Sequence, residues 1–359
     1  MSSPDTSETD RLRSHLAAGQ VIPAMPLALH DDRTWSERHQ RALVRYYLDA
    51  GAGGLAVGVH TTQFEIRDKK HDLFETVLRS CADEIAGYRR SDDPFARIAG
   101  VCGTTEQARR EVELARSLGY DAALLSLSAM RRTDDDTLLA HCRDVAEILP
   151  LIGFYLQPSI GGRTYGYRFW RDFAEIPNVV AIKIAPFNRY ATLEVVRAVA
   201  ESGRRDIALY TGNDDNIIHD LLTPFPWGEP SLRIVGGLLG QWAVGTRRAV
   251  RLLEEVRSGE NSATDSATDS ATDWAARNAA LTDFNSALFD PAHDFAGCIT
   301  GINEVLRRSG LLPSRKCLEP DEVLSPGQSE EIDRVLRRYP EWHDAAFIEE
   351  HLPRWLGHK

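Results

Sequence analysis

Residues 97–126 read RIAGVCGTTEQARREVELARSLGYDAALLS: an apolar run, a glycine turn, a stretch of helical period and a second apolar run. Arg97 to Cys102 and Ala122 to Leu127 have the length and composition of buried strands, while Thr105 to Leu118 spaces its apolar residues as one face of a helix. Strand, helix and strand in that order favour parallel pairing across a crossover. The same alternation runs outward in both directions. Further strands are expected at Val21 to Leu29, Gly54 to Val59, Leu151 to Leu156, Val179 to Ile184, Ile207 to Tyr210 and Leu232 to Val235. Helical patterns between them cover Glu37 to Ala50, Asp68 to Tyr88, Asp135 to Leu149, Tyr190 to Ser202 and Leu239 to Ser258. Eight strands separated by helices predict a closed (β/α)8 TIM barrel of the α/β class. An open nucleotide-binding sheet would need a glycine-rich turn after its first strand, and Leu27 to Asp32 supplies none.

A barrel of this kind takes about 250 residues, and the chain has 359. The surplus divides into a polar leader over residues 1–18, a barrel over 19–258, a repeat over 259–273 and a C-terminal helical extension over 274–359. The repeat, GENSATDSATDSATD, contains three copies of SATD that cannot bury a core and are expected to form a solvated, disordered loop. Beyond it Trp274 to Leu288, Phe295 to Ser309, Gly327 to Arg338 and Trp342 to Leu356 read as helices.

A formal charge of -11, with 53 acidic against 42 basic residues, argues against nucleic acid or anionic membrane as a general partner. The first fifteen residues lack the apolar core of a signal peptide, and no segment has the length and hydrophobicity of a membrane span. A cytoplasmic protein is expected. Its five cysteines are odd in number, widely spaced and never CxxC, which indicates neither a disulfide framework nor a zinc ribbon. The eleven histidines contain no HxH pair, and His60 alone falls at an expected strand end, so no metal is expected.

Only five of the 42 basic residues are lysine. Lys69 and Lys70 begin a polar helical stretch, Lys316 lies in a turn and Lys359 ends the chain, but Lys183 interrupts the apolar strand VVAIKIA. An ammonium ion is costly to desolvate there. Such surroundings favour the neutral amine, the form that attacks a ketone. Pairing with a buried carboxylate, or extension to the barrel rim, would be the non-catalytic alternatives. Active sites of barrels lie at the carboxyl ends of the strands, which draws attention to Tyr155, to Thr61 and Thr62, to Gly212, Asn213, Asp214 and Asp215, and to Gly236 and Gly237. Taken singly, each has an ordinary structural reading as packing, capping or turn.

Taken in order, these segments resemble the dihydrodipicolinate synthase and N-acetylneuraminate lyase family, class I pyruvate-dependent aldolases built on a (β/α)8 barrel. IPAMPLAL resembles the family's opening strand, GAGGLAVGVHTTQFE its strand and GTTGE loop, GFYLQP its YNxP motif, PNVVAIKIA its Schiff-base lysine strand and LYTGNDD its glycine–acid turn. The resemblance spans about residues 20 to 340. It implies an imine between Lys183 and pyruvate or another small 2-oxo acid, proton relay by Tyr155, and a carboxylate held by Thr61 and Thr62. It further implies that Gly212, Asp214, Asp215 and Gly237 line the substrate site, with Asp214 and Asp215 meeting hydroxyls of an aldehyde or sugar-acid substrate. No cofactor is expected. A homo-oligomer, tetramer or dimer, is expected from the family.

The departures narrow the activity. Leu156 replaces the asparagine after the tyrosine, and Ile160 stands where the synthases carry a carboxylate-gripping arginine, with Arg163 a possible substitute. LSLSAMRR lacks the relay tyrosine of the family's PYY-like segment, and His60 and Gln63 alter the GTTGE loop. The expectation is therefore a Schiff-base lyase or aldolase that is not a true dihydrodipicolinate synthase. The alternatives are an imine-dependent sugar-acid dehydratase and a non-catalytic barrel that binds 2-oxo acids.

Overall fold

The computed structural model describes residues 6–89, 93–228, 231–259 and 267–357. Eight strands form one sheet: β1 (Val21–Pro23), β2 (Gly54–Val57), β3 (Ala96–Val101), β4 (Ala122–Leu125), β5 (Leu151–Leu156), β6 (Val179–Ala185), β7 (Ala208–Thr211) and β8 (Ile234–Leu239). Their order is β1-β8-β7-β6-β5-β4-β3-β2, with parallel pairing from β3 through β8. A parallel bridge between Ala24 and Ala56, supported by the Met25 N–H donating to the Ala56 carbonyl at 2.9 Å, joins the two ends of that order. The fold is a (β/α)8 barrel with a C-terminal helical extension.

The helices are α1 (Thr6–Ala17), α2 (Glu37–Asp49), α3 (Phe74–Tyr88), α4 (Thr105–Ser117), α5 (Asp135–Ala146), α6 (Tyr167–Phe173), α7 (Arg189–Ser202), α8 (Ile217–Leu222), α9 (Thr246–Gly259), α10 (Ala267–Phe289), α11 (Cys298–Arg308), α12 (Gln328–Arg338) and α13 (Ala345–Trp355). The chain divides into two compact units. Among the described residues, one comprises 6–20, 93–213 and 220–238, the other 21–89, 214–219 and 239–357.

In the first unit the expected polar leader is a helix from Thr6 onward. Leu12 and Leu16, one turn apart, form its buried stripe. The Tyr210 hydroxyl donates to the Leu16 carbonyl at 2.8 Å and accepts the Gln20 N–H at 3.1 Å, tying α1 to β7. Strand β5 occupies the expected Leu151–Leu156. Strand β8 does not follow expectation: it runs Ile234–Leu239, so Gly236 and Gly237 lie inside it rather than after it. The reason is space. A Cβ on Gly236 would stand 2.5 Å from the Gln20 carbonyl oxygen, so the glycine serves close backbone approach and not a turn.

In the second unit Asp344 ties the C-terminal extension to the barrel helices. It accepts the Tyr46 hydroxyl at 2.7 Å and the Arg247 and Arg248 N–H groups at 2.6 and 3.2 Å, capping the first turn of α9. Glu304 on α11 is bonded by Arg307 and Arg308 at 2.8 Å each. Helix α10 starts at Ala267, seven residues before Trp274, so the end of the SATD repeat is helical where a loop was expected; residues 260–266 lie outside the described residues. Alanine favours helix and aspartate suits a helix N-terminus, which fits the helical start at Ala267.

Candidate active site

In the first unit Lys183 is the fifth residue of β6, a strand buried along its whole length, and is itself 9% exposed. Its register partners are Phe154 on β5 and Tyr210 on β7. Side chains in register on parallel strands share a sheet face. The Lys183 Nζ lies 4.4 Å from the centroid of the Phe154 ring, close enough for attraction to the ring face when the amine is charged.

Gly212, the first residue after β7, makes room for that lysine. A Cβ there would stand 2.8 Å from the Lys183 Cε and 2.7 Å from the Ala185 Cβ. Asn213 then pins the turn. It accepts the Phe187 N–H at 3.1 Å and donates to the Thr192 hydroxyl at 3.1 Å and to an Asp220 carboxylate oxygen at 2.9 Å. Asp220, fully buried, also receives the Thr211 hydroxyl and Arg189, both at 2.6 Å. The turn is thus braced from α7 and α8 before it reaches the acids.

Tyr155 departs from the role the resemblance implies. It pairs in register with Ile184, one residue past Lys183, and alternation turns it to the other face of the sheet. Its ring lies against Tyr165 and Trp170, with centroids 5.6 and 5.2 Å away. Its hydroxyl accepts the Tyr165 N–H at 3.1 Å and donates to the Tyr165 carbonyl at 3.2 Å. Burial raises its pKa above the ordinary phenol value. The structure brings Phe154, not Tyr155, to the amine.

Gly237 likewise stands away from a strand end. It pairs with Thr211, and its N–H donates to the Gln20 carbonyl at 3.2 Å. Arg163, the substitute expected for the synthase arginine, is engaged with the Thr133 carbonyl at 2.6 Å and with the Asp135 carboxylate, and its guanidinium lies 4.8 Å from the Tyr165 ring centroid. In place of the missing relay tyrosine, the Ser126 hydroxyl donates to the Ser128 hydroxyl at 3.1 Å.

In the second unit His60, Thr61 and Thr62 form a single 3-10 turn after β2. The Thr61 and Thr62 hydroxyls both donate to the Met25 carbonyl, at 3.1 and 2.6 Å, and the Thr62 oxygen accepts the Gly58 N–H at 3.0 Å. Asp214 is buried and Asp215 exposed. Helix α10 holds their backbone: Asn285 donates to the Asp214 carbonyl at 2.7 Å and Thr282 to the Asp215 carbonyl at 2.8 Å. Sequence reasoning missed Phe154, Asn285 and Thr282, since nothing local marks them as neighbours of site residues. Among the described residues no group of three or more His, Cys, Asp or Glu side chains is placed to hold a metal ion, and no helix is long and apolar enough to cross a membrane.

The sequence pattern of the dihydrodipicolinate synthetase family matches residues 17–224, more than half of the chain. The chain belongs to that family. A 4-hydroxy-tetrahydrodipicolinate synthase of Desulforudis audaxviator is 29% identical over 232 residues, covering 61% of this chain and 71% of that protein. Its counterpart in Desulforamulus reducens is 25% identical over 202 residues, covering 55% of this chain and 63% of that protein. The match therefore spans less than two thirds of some of these relatives. Among solved structures, the dihydrodipicolinate synthase of Oceanobacillus iheyensis superposes with a TM-score of 0.72 at 17% identity, covering 92% of this chain and 99% of that one. CdNal of Clostridium difficile, solved in complex with mannosamine, gives 0.70 at 15% identity, covering 89% and 99%. These two show a common fold, which reaches past residue 224 into the C-terminal helices.

Proposed function

We propose that this chain is a lyase or aldolase that forms an imine between Lys183 and a small 2-oxo acid such as pyruvate. The observation that carries the reading is the seating of Lys183: an amine on a fully buried strand, facing an aromatic ring, with the glycine after β7 leaving space for its Cε. The Nζ adds to the ketone carbon to give a carbinolamine, and loss of water leaves a protonated imine. That cation withdraws electrons from the neighbouring carbon, which sheds a proton to become an enamine. The enamine carbon adds to an aldehyde, and hydrolysis of the imine releases product and restores the amine. In the cleavage direction the same steps run backward.

Thr61 and Thr62 would shape the carboxylate-binding loop, Gly212 would seat the lysine, and Asp214 and Asp215 would meet hydroxyls of the second substrate. Tyr155 acts in this scheme through the backbone of Tyr165, as a positioning residue. Two observations favour an activity other than dihydrodipicolinate synthesis: Ile160 offers no charge, and the guanidinium of Arg163 is already paired with Asp135. Soluble homo-oligomers are the family's habit and are proposed here too.

Borohydride reduction in the presence of 2-oxo acids tests the reading. The expected result is a stable mass increase on the peptide containing Lys183, absent from Lys183→Ala. A panel of 2-oxo acids that leaves this peptide unmodified would overturn it.

A further inference from the structure

The C-terminal extension holds a half-open cavity of about 280 Å³, wholly inside the second unit, where α11, α12 and the start of α13 meet. Its walls are apolar: Val305 and Leu306 come from α11, Leu336 from α12 and Ile348 from α13. A hydrocarbon body gains more against such walls than water does. A cavity of about 150 Å³ holds benzene, so at the same filling this one takes roughly eleven non-hydrogen atoms. The volume lies at the small end of the range for ligand pockets. The imine chemistry proposed above makes no use of this space.

Most of the polar side chains lining the cavity are already committed. Arg308 donates to Glu304 at 2.8 Å and to the Ser329 hydroxyl at 3.1 Å, and it pairs with Asp333. The Ser309 hydroxyl donates to the Leu306 carbonyl at 2.9 Å. His343 Nε2 lies 3.2 Å from the Leu336 carbonyl, and its Nδ1 accepts the Ala345 N–H at 3.3 Å. A carbonyl needs a donor and an N–H an acceptor, so this imidazole is neutral with its proton on Nε2. Arg337 also lines the cavity, from the last turn of α12, and makes no hydrogen bond or ion pair among the described residues. Arg308 and Asp333 cancel, which leaves the lining with the single positive charge of Arg337. From this juxtaposition we infer that the cavity is a binding site for a small monocarboxylate with an aromatic or branched apolar body, its carboxylate held by the Arg337 guanidinium. The planar fork of arginine matches a carboxylate with two parallel bonds. A dianion such as a phosphate monoester would leave one charge unmet beside Asp333 and the aliphatic walls. An arginine at a helix C-terminus also complements the helix dipole, but that role predicts no ligand in the adjoining space.

The probe is 3-phenylpropanoate, whose size matches the cavity, with 3-phenylpropanamide as its neutral isostere. Titration calorimetry on the full chain should give a dissociation constant of about 1 mM or below for the acid, and weaker binding for the amide. Arg337→Gln should weaken the acid about fivefold, a size that allows for screening of an exposed charge. It should change the amide by less than about twofold, because no ion pair is lost there. Ala345 lines the cavity and is exposed, so Ala345→Trp places an indole at the mouth with little risk to the fold. Both probes should then weaken by about fivefold or more, with the melting temperature close to that of the wild type. Lys183→Ala should bind the acid as the wild type does. Loss of binding in that variant would put the probe at the imine site and overturn the inference, as would acid and amide that bind alike. Equal weakening of the two by Arg337→Gln, unchanged affinities in Ala345→Trp, or no heat from the wild type up to about 10 mM acid would also overturn it. Failure to bind, coupled with a smaller assembly in Ala345→Trp, would make the cavity a contact between copies of the chain instead. None of these outcomes depends on borohydride trapping, so the imine reading and this one can fail separately.

Discussion

Strands β5 and β6 pair along their length, carry apolar residues throughout, and each contains one polar residue that a motif marks as catalytic. They present those residues to opposite sides. Lys183 shares its face with Phe154 and Tyr210, whereas Tyr155 is one position further along and turns toward Tyr165 and Trp170. A motif reports spacing along the chain. Chemistry depends on parity across the sheet, and a shift of one residue is enough to move a hydroxyl from a barrel interior to the layer beneath its helices.

The largest effect that would sharpen this contrast is expected at β6. Lys183→Ala should abolish borohydride labelling and lower turnover by about a thousandfold or more, as loss of a covalent nucleophile does. Its melting temperature should stay close to that of the wild type, because a desolvated amine is removed rather than a packed apolar group. Retained turnover in Lys183→Ala would break the assignment. Gly212→Ala comes next. Its methyl would stand 2.8 Å from the Lys183 Cε, so the amine must move, and displacement of a reacting group by about 1 Å costs on the order of a hundredfold in rate. A variant with normal kinetics would show that the lysine has room the geometry denies it.

At β5 the expected effects are smaller and of another kind. Tyr155→Phe removes a hydroxyl that bonds both the N–H and the carbonyl of Tyr165. Stability should fall by about 1–2 kcal/mol, and activity by less than about tenfold. A relay tyrosine would behave differently, with a loss of roughly a hundredfold or more at unchanged stability. Urea unfolding and steady-state rates measured on the same preparation separate the two outcomes. A large kinetic loss without a stability loss would erase the distinction between the strands.

Much of the fold was legible because alternation of strand and helix is a long-range pattern that tolerates errors at element ends. β5 falls where its apolar run does, and Lys183 stands out as the one cation in its run. The rest depended on contacts that no local pattern reveals. Gly236 looks like a turn residue until Gln20 comes within 2.5 Å of its missing Cβ. Helix α1 looks polar because two leucines, Leu12 and Leu16, suffice to bury it. Helices α6 and α8 have seven and six residues, too few for a helical period to show itself. Gln63 was visible only as a departure from a glycine, while the bond that draws its side chain inside comes from Leu318, 255 positions away.

The smallest expected effect concerns alkaline pH, and it tests the environment of Tyr155 directly. Burial raises this phenol's pKa, while a tyrosine in the unfolded chain titrates near pH 10. Below that pH both states hold the proton and no stability is lost. Above it the unfolded chain releases its proton while the folded one keeps it, so stability falls as pH rises from about 10 toward the folded value. Tyr155→Phe, though less stable at neutral pH, should lose stability less steeply across that window. Denaturant midpoints at pH 8 and pH 10.5 for the two proteins supply the comparison. Tyr165 has its pKa raised by the same burial and stays in both, so some alkaline sensitivity remains and the difference between the slopes is the quantity to read. Equal slopes would mean that the Tyr155 hydroxyl meets solvent, which would remove the physical basis for treating β5 as the structural partner of β6.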